Sequence, residues 1–142
     1  MVEVRFQRVH ANAQVPSRGS ENAAGYDLHA AENAFIPPFG TATIRTGLKV
    51  SFPSHLSLLI FSRSGMGFKK NVRLANCVGV IDADYRGEIM VKLTNDGEQA
   101  ISILTGDRIA QAVMIPFFEL SFVEADLDET DRGEKGFGST GT

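Results

Sequence analysis

Two segments of the chain combine the residue types that bind phosphate groups. Arg63-Ser64-Gly65 places a guanidinium, which can donate two parallel hydrogen bonds to phosphate oxygens, beside a hydroxyl and a glycine. Residues 132–141 repeat this composition, with an arginine, two hydroxyls and four glycines around one aromatic residue, Phe137. Glycines expose backbone N–H groups to an anion, and an aromatic ring can stack on a nucleobase. Taken singly, the first segment also fits a surface turn and the second an ordinary glycine-rich tail.

Carboxylates cluster in a third segment, residues 79–87, which contains Asp82 and Asp84. On a straight strand, residues two apart point the same way, and paired carboxylates commonly serve metal binding or acid–base chemistry. The neighbouring Tyr85 and Gly87 instead indicate a tight hairpin, in which an Asp-rich turn needs no chemical role. Both interpretations stay open on residue types alone.

Two more polar residues stand in places that need an explanation. Gln111 lies between Ile109 and Val113 on one parity of an apolar run, so its amide must either find a buried partner or reach a site. We favour the buried partner. Asp27 follows Gly25-Tyr26 and places another carboxylate in a turn context. Phosphate-binding elements, carboxylates and a stackable ring on one small chain together indicate a nucleotide ligand.

The elements that must position these residues are predicted to be short strands. Apolar and polar residues alternate with the period of two that is typical of half-buried strands in 2–6, 44–52, 89–93 and 101–103. The apolar run 56–61 predicts a strand covered on both faces, and Asn95-Asp96-Gly97 predicts a hairpin turn. One short helix is predicted to follow Arg63-Ser64-Gly65, where Ser64 could cap it. These patterns indicate an all-β fold of the antiparallel sandwich, jelly-roll or barrel type.

Length and composition fit one domain, because the chain has 142 residues and 43% of them are hydrophobic. The net charge of −3 argues against broad binding to nucleic acid, which requires a basic face. No apolar run approaches the ~20 residues that span a bilayer, and no signal peptide is visible. The single cysteine, Cys77, favours a reducing compartment. We therefore expect no nucleic-acid and no membrane partner.

Residues 124–142 differ from the rest of the chain because they hold little that could be buried and are rich in acidic residues and glycine. Such a segment is predicted to be flexible on its own. It is either a frayed terminus or an arm that orders over a ligand, and Phe137 is unusual in a pure tail. We divide the chain into a domain at 1–123 and a C-terminal arm at 124–142.

Five segments in order make the chain similar to the trimeric dUTPases, the deoxyuridine 5′-triphosphate nucleotidohydrolases. The match runs through nearly the whole chain, and its third and fifth segments are the most specific. The segments are Ala24-Gly25-Tyr26-Asp27-Leu28, Arg63-Ser64-Gly65-Met66-Gly67, Gly79-Val80-Ile81-Asp82-Ala83-Asp84-Tyr85-Arg86-Gly87, Gly106-Asp107-Arg108-Ile109-Ala110-Gln111, and 132–141.

This resemblance implies a jelly-roll-like β-barrel with one short helix and a flexible C-terminal arm, assembled as a homotrimer with active sites at subunit interfaces. It implies hydrolysis of dUTP to dUMP and pyrophosphate, with Mg²⁺ as the cofactor. Such an enzyme limits uracil incorporation into DNA and supplies dUMP for thymidylate synthesis. The implied location is the cytoplasm, or the interior of a virus-infected host cell.

The resemblance also implies roles position by position. Asp82 matches the aspartate that activates the attacking water, Tyr85 the residue beneath the deoxyribose, and Asp27 an aspartate near the water shell of the metal. The implied uracil-binding residues are Asn76, Val80, Ile81 and Met90. The implied phosphate-binding residues are Arg63, Ser64, Gly65 and Gln111 in the domain, and Arg132, Ser139 and Thr140 in the arm. Phe137 matches the ring that stacks on uracil, and the neighbouring Gly138 is also implied to bind the substrate.

Two departures and two rival functions accompany this resemblance. Lys135 stands where the family usually has glycine, and Ser62 precedes Arg63 where proline or glycine is common. One rival is a dCTP deaminase on a related fold, which the run Asp82-Ala83-Asp84-Tyr85 disfavours. The other is a regulatory or decoy protein that keeps the fold and binds a nucleotide or a partner without turnover.

Overall fold

The computed structural model describes residues 1–136, which form twelve strands and one short helix. The predicted all-β class with a single helix is therefore confirmed. The helix, α1 (Ser64–Lys70), lies between the seventh and eighth strands. The strands are β1 (Arg5–Arg8), β2 (Ser17–Arg18), β3 (Tyr26–His29), β4 (Ala34–Ile36), β5 (Thr41–Arg45), β6 (Leu48–Ser51), β7 (Leu56–Phe61), β8 (Val72–Leu74), β9 (Val78–Ile81), β10 (Met90–Asn95), β11 (Ile101–Ile103) and β12 (Arg108–Pro116).

The strands form four antiparallel sheets around one hydrophobic core. The largest sheet has the order β2-β3-β12-β7-β9, and a three-stranded sheet has the order β5-β10-β8. Two pairs, β1-β6 and β11-β4, complete the set. This is a jelly-roll-like arrangement, although the described strands do not close into one continuous barrel.

Alternation of side chains along the strands builds the core. In β10, Val91 and Leu93 are buried while Met90 and Lys92 are exposed, which follows from the period of two. The apolar run in β7 is almost wholly buried between β12 and β9, as predicted. The largest fully buried side chains are Leu28, Ile36, Ile44, Leu48, Leu74, Ile89, Leu93, Ile103, Ile109, Val72, Val91 and Asn95.

Two strand boundaries differ from the predictions. The predicted strand at 44–52 is broken into β5 and β6, because Gly47 adopts a φ of 71° between them. A Cβ there would lie 2.6 Å from Cβ of His10, so the bend requires glycine. At the N-terminus, β1 begins only at Arg5, and the predicted Val2 and Val4 precede it as exposed residues.

The hairpin predicted at Asn95-Asp96-Gly97 is wrong, because β10 and β11 belong to different sheets. The side chain of Asn95 is fully buried, and its amide donates hydrogen bonds to the carbonyl oxygens of Ile36, Pro37 and Gln99. Asn95 thus fixes the connection between two sheets instead of a hairpin turn.

The predicted capping by Ser64 is also wrong. Ser64 is the first residue of α1, and the N-cap is Arg63, which makes no capping hydrogen bond with its side chain. The C-cap of the helix is Asn71, which has a left-handed φ of 54° and donates its backbone N–H to the carbonyl oxygen of Gly67.

Strand β12 ends at Pro116, and residues 117–136 form neither strand nor helix. Large apolar side chains in this segment are exposed, among them Phe118, Phe122 and Leu127. The boundary that we predict at residues 123 and 124 therefore falls inside a longer irregular segment. In the part of the chain that the structure describes, no helix is long and apolar enough to cross a membrane.

Candidate active site

A cleft of about 440 Å³ lies between β9 and β10. Strand β9 is the edge of the five-stranded sheet and pairs with β7 on one side only. Strand β10 pairs with β5, and with β8 from Leu93 onward. The predicted tight hairpin at 79–87 is therefore an open connection between strands of different sheets. The lining residues are Ile60, Leu74, Ala75, Asn76, Gly79, Val80, Ile81, Met90 and Lys92.

This cleft brings together four residues that the sequence suggested for base binding. Asn76, Val80, Ile81 and Met90 all line it. The outward edge of β9 carries backbone N–H and C=O groups that no strand of residues 1–136 pairs with. Such groups in a cleft of this size can hydrogen-bond the edge of a planar heterocycle. Lys92 also lines the cleft, and neither residue types nor the resemblance singled it out.

The two aspartates of the connection lie in a turn, so they do not share a strand face. Asp82 and Asp84 are both exposed, and neither forms an ion pair within residues 1–136. The backbone N–H of Tyr85 donates to the carbonyl oxygen of Asp82 at 3.1 Å, which closes the turn. Arg86 stabilises it further by donating to the carbonyl oxygens of Ala83 and Tyr85. Asp82 is therefore a solvent-facing carboxylate on a well-held backbone.

Tyr85 is fixed by the same turn. Its hydroxyl donates to the carbonyl oxygen of Glu88 at 3.0 Å. The ring lies so close to Gly87 that any Cβ at that position would collide with it. A side chain at position 87 would thus displace the tyrosine ring from this position.

Glu88 anchors the end of the connection to the core. Its carboxylate accepts hydrogen bonds from the guanidinium of Arg45 and from the backbone N–H of Gly47 at 2.8 Å. The side chain of Glu88 is only 15% exposed. These contacts hold the base of the turn that carries Asp82 and Tyr85 against β5 and β6.

Replacing Glu88 by Gln is expected to weaken the dependence of stability on pH in the acid range. Burial acts to raise the pKa of Glu88, but hydrogen bonds from Arg45 and Gly47 outweigh it and hold the pKa below 4.5. The carboxylate therefore stabilises the fold above its unfolded pKa, and this contribution is lost as the pH falls through the folded pKa. In urea unfolding, Glu88→Gln should lower the midpoint at pH 7. The difference should begin to narrow below about pH 4.5 and should close once the pH has fallen through the folded pKa.

Glu3→Gln is a matched control for this experiment. Glu3 forms an ion pair with Arg5, but both side chains are largely exposed, and such pairs contribute little. Equal losses in the two variants at pH 7, or a Glu88→Gln difference that does not narrow at all as the pH falls below about 4.5, would contradict the anchoring role.

A second group of residues lies at the other end of the five-stranded sheet, around Asp27. One carboxylate oxygen of Asp27 accepts a hydrogen bond from Nε of Arg63 at 2.8 Å, and the other accepts from Arg108 at 3.3 Å. The side chain of Asp27 is 13% exposed. Two guanidiniums share one carboxylate, so the cluster keeps an excess of positive charge. It can therefore orient Arg63 and still attract an anion.

His29 lies behind this cluster without adding charge to it. Burial lowers its pKa below 6.5, and Arg108 and Arg63 act in the same direction, against the opposing effect of Asp27. The Nδ1 atom of His29 is buried and has no hydrogen-bond partner in residues 1–136. The imidazole is thus neutral at neutral pH, and the positive charge of the cluster comes from the arginines.

Gln111 finds a partner, as the favoured interpretation of its position requires. Its side-chain amide donates to the carbonyl oxygen of Ser62 at 3.0 Å. The hydroxyl of Ser62 accepts a hydrogen bond from the backbone N–H of Leu74 at 2.9 Å. Ser62, one of the two departures from the family pattern, therefore ties the end of β7 to β8 and to Gln111, directly before Arg63.

The start of α1 places Ser64 and Gly65 beside these groups. Both residues are exposed, and the first turn of a helix leaves backbone N–H groups without intrahelical partners. No side chain of residues 1–136 fills the space around Gly65, since a Cβ there would meet none of their atoms within 4 Å. The segment is open to a ligand along the sequence from Arg63 to Gly65.

The arm contributes one described candidate, Arg132. Its Nε donates to the carbonyl oxygen of Lys135 at 2.9 Å, and the residue is exposed. Gly133 takes the left-handed conformation of this turn, with a φ of 51°, while Lys135 does not have a positive φ. The lysine at this position is therefore free of backbone strain. The other arm candidates, Phe137, Gly138, Ser139 and Thr140, lie outside the described residues.

Sequence comparison relates the whole chain to one enzyme family. The family model described as dUTPase matches residues 11–141. A deoxyuridine 5′-triphosphate nucleotidohydrolase of Wolinella succinogenes is 45% identical over 142 residues, covering 99% of this chain and 95% of that protein. One of the same name from Picosynechococcus is 43% identical, with 99% and 100% covered.

Comparison of structures gives the same relation. The dUTPase of Staphylococcus bacteriophage 80alpha, solved with dUpNHpp, superposes with a TM-score of 0.88 at 31% identity. The superposition covers 99% of each chain. The similarity thus extends over both the cleft and the cluster around Asp27.

Proposed function

The chain belongs to the dUTPase family and is a dUTP pyrophosphohydrolase, and we propose that it binds the base in the cleft between β9 and β10 and the phosphates beside Arg63. The observation that carries this proposal is the cleft itself. Asn76, Val80, Ile81 and Met90 meet there beside an unpaired strand edge. The cleft opens next to the turn that holds Asp82.

Selection of uracil follows from the polarity of hydrogen bonds. Uracil presents an N3–H donor and an O4 acceptor, whereas cytosine reverses both. A backbone edge matched to uracil would leave buried groups unpaired with cytosine, and such mismatches discriminate by ~10⁴. Thymine differs by one methyl, so a tight cleft must exclude it by steric clash. The ring of Tyr85 would exclude a 2′-hydroxyl from the sugar in the same way.

Hydrolysis requires a water placed in line with the scissile P–O bond. Asp82 would accept a hydrogen bond from that water and take its proton as attack proceeds. A carboxylate is a weak base for water, so orientation and charge stabilisation must supply most of the acceleration. Two further groups of residues would bind the substrate. Phosphate contacts would come from Arg63, Ser64, Gly65, Gln111, Arg132, Ser139 and Thr140. When the arm closes, Phe137 and Gly138 would add further contacts to the substrate.

Mg²⁺ would reach this site on the triphosphate, and not in a cage of protein ligands. Within residues 1–136 no group of three or more His, Cys, Asp and Glu side chains could hold a metal ion. Mg²⁺ commonly binds substrate phosphates and one or two carboxylates while keeping several waters. Asp27 fits this mode, because each of its oxygens keeps a second lone pair for a metal-bound water. When bound, the ion would neutralise charge on the phosphates.

A homotrimer with active sites at subunit interfaces is consistent with the exposed apolar side chains of 117–127. Phe118 is 85% exposed and Phe122 is 91% exposed. Large apolar surfaces of this kind mark contacts with another chain. In this assembly the arm of one subunit would complete a site on another. The enzyme would act inside the cell, limiting uracil in DNA and supplying dUMP for thymidylate synthesis.

A substrate panel tests the proposed selectivity. In a pyrophosphate-release assay with Mg²⁺, dUTP should be hydrolysed with a kcat/KM at least about 10²-fold above that of dTTP, dCTP or UTP. An ammonia assay with dCTP separates the rival deaminase, for which we expect no product. Equal turnover of dUTP and dTTP would contradict a cleft that excludes the methyl group, and ammonia release would support the rival activity.

A further inference from the structure

Lys92 is the charged residue among those that line the cleft between β9 and β10. Its side chain is exposed, and its ammonium forms no ion pair or hydrogen bond with residues 1–136. Its backbone is fixed, because the Lys92 carbonyl oxygen accepts from the N–H of Ala75 at 2.9 Å. The cleft therefore contains a cationic donor without a partner of its own.

The position of Lys92 along the cleft is set by the two strands. The connection 82–89 joins the end of β9 to the start of β10, so Ile81 and Met90 lie next to it. Lys92 is two residues further along β10, which places it about 6.5 Å further from the connection than Met90. Since alternate residues share a face, Lys92 points to the same side as Met90. Lys92 thus lies at the end of the cleft away from Asp82 and Tyr85.

The orientation of the bound nucleotide determines which atoms of the base lie at the end of the cleft that holds Lys92. This step rests on the proposed function, in which Tyr85 lies against the sugar and Asp82 holds the attacking water. In a pyrimidine the ring atom opposite the sugar-bearing N1 is C4. The group attached to C4 therefore points away from the connection, toward the end that holds Lys92. This group is a carbonyl oxygen in uracil and an amino group in cytosine.

We propose that Lys92 is a specificity-determining residue whose ammonium donates a hydrogen bond to O4 of uracil. A charge-assisted hydrogen bond to a carbonyl oxygen is favourable in a partly enclosed cleft. The amino group of cytosine would face the ammonium donor to donor, and both would lose their water without gaining a partner. Lys92 adds side-chain recognition of the C4 substituent to the recognition by the backbone edge of β9.

The test is the variant Lys92→Met, which keeps an unbranched stem of similar length and removes the charged donor. Its kcat/KM for dUTP should fall about 10- to 100-fold, the range for losing one hydrogen bond to a charged group. The loss should appear mainly in KM, because the bond forms in the bound ground state. Hydrolysis of dCTP should be unchanged or faster, so the preference for dUTP over dCTP should fall at least about tenfold.

Thymine provides an internal control, because it carries the same O4 as uracil. The ratio of dUTP to dTTP turnover should therefore be the same in Lys92→Met and the wild type. Lys92→Arg, which retains a cationic donor, should keep the preference for dUTP over dCTP within a few-fold. Lys49→Met makes the same substitution on β6, outside the cleft, and should leave every ratio at its wild-type value.

Two results would overturn the inference. One is a dUTP-to-dCTP ratio in Lys92→Met that equals that of the wild type and of Lys49→Met. The other is an equal loss of dUTP, dTTP and dCTP turnover, which would indicate a general role. Failure of the proposed function is distinguishable, because it would appear in the wild-type protein as an absence of preference for dUTP.

Discussion

Replacement of Asp82 by Asn is expected to abolish nearly all turnover of dUTP while the fold and the KM stay close to those of the wild type. Asparagine has nearly the same size, but its amide cannot take a proton from water. A positioned general base typically contributes 10²- to 10⁴-fold, so kcat should fall by about that factor. Because Asp82 is exposed and unpaired within residues 1–136, the substitution leaves no buried group without a partner. Rapid-quench measurement of pyrophosphate formation would detect the residual rate.

The same turn supplies a matched control, Asp84→Asn. Asp84 is also an exposed aspartate, it lies two residues away, and no role in the reaction is assigned to it. Its substitution removes the same charge from the same turn. We therefore expect kcat for Asp84→Asn within a few-fold of the wild type. Undiminished activity of Asp82→Asn, or equal losses in both variants, would show that the turn matters only through its charge or its backbone.

The sequence predicted the strands of this fold better than it predicted how the strands pair and connect. Alternation correctly indicated the core faces of β10 and β11, because it depends only on local side-chain direction. It did not reveal the break at Gly47, since Ile44 and Leu48 keep the same parity on either side of it. The turn signal Asn95-Asp96-Gly97 also failed, because the side-chain hydrogen bonds of Asn95 reach carbonyl groups up to 59 residues away. Partners at that distance leave no periodic signal.

The same difference between local and distant contacts applies to the candidate site, where residues close in sequence were predicted together and a pairing between distant residues was not. Asn76, Val80, Asp82 and Tyr85 lie within one short stretch of chain, so the resemblance could assign them together. The pairing of Asp27 with Arg63 and Arg108 spans 36 and 81 residues, and no spacing in the sequence indicates it. That pairing changes the interpretation of Asp27, which orients two arginines in addition to any part in the water shell of a metal.

Residues missed at the sequence level had weaker local signals. Lys92 shares parity with Met90 on the same strand, so extending the alternation beyond the last matched residue would have placed it in the cleft. Glu88 could not be found in this way, because its partners Arg45 and Gly47 belong to a different part of the chain. A charged residue acquires a role in anchoring only when the fold brings its partner close.

Deletion of residues 131–142 is expected to leave a folded protein that has lost most of its activity. Residues 117–136 contribute no strand or helix, and every strand of the described sheets ends by Pro116. The urea midpoint should therefore match that of the full chain. Light scattering should give the same oligomeric mass, because the deletion spares the exposed apolar residues of 117–127. Neither measurement depends on nucleotide.

Activity should instead fall, because the deletion removes Arg132 together with the glycines and hydroxyls assigned to phosphate binding. An arginine that stabilises charge on a transferring phosphoryl group contributes about 10³-fold or more, and kcat/KM should fall by at least that factor. A shorter deletion, of 137–142, retains Arg132 and should lose less. If the arm instead belonged to the core, the larger deletion would lower the urea midpoint or prevent folding. If it were only a frayed terminus, both truncated proteins would hydrolyse dUTP at the full rate.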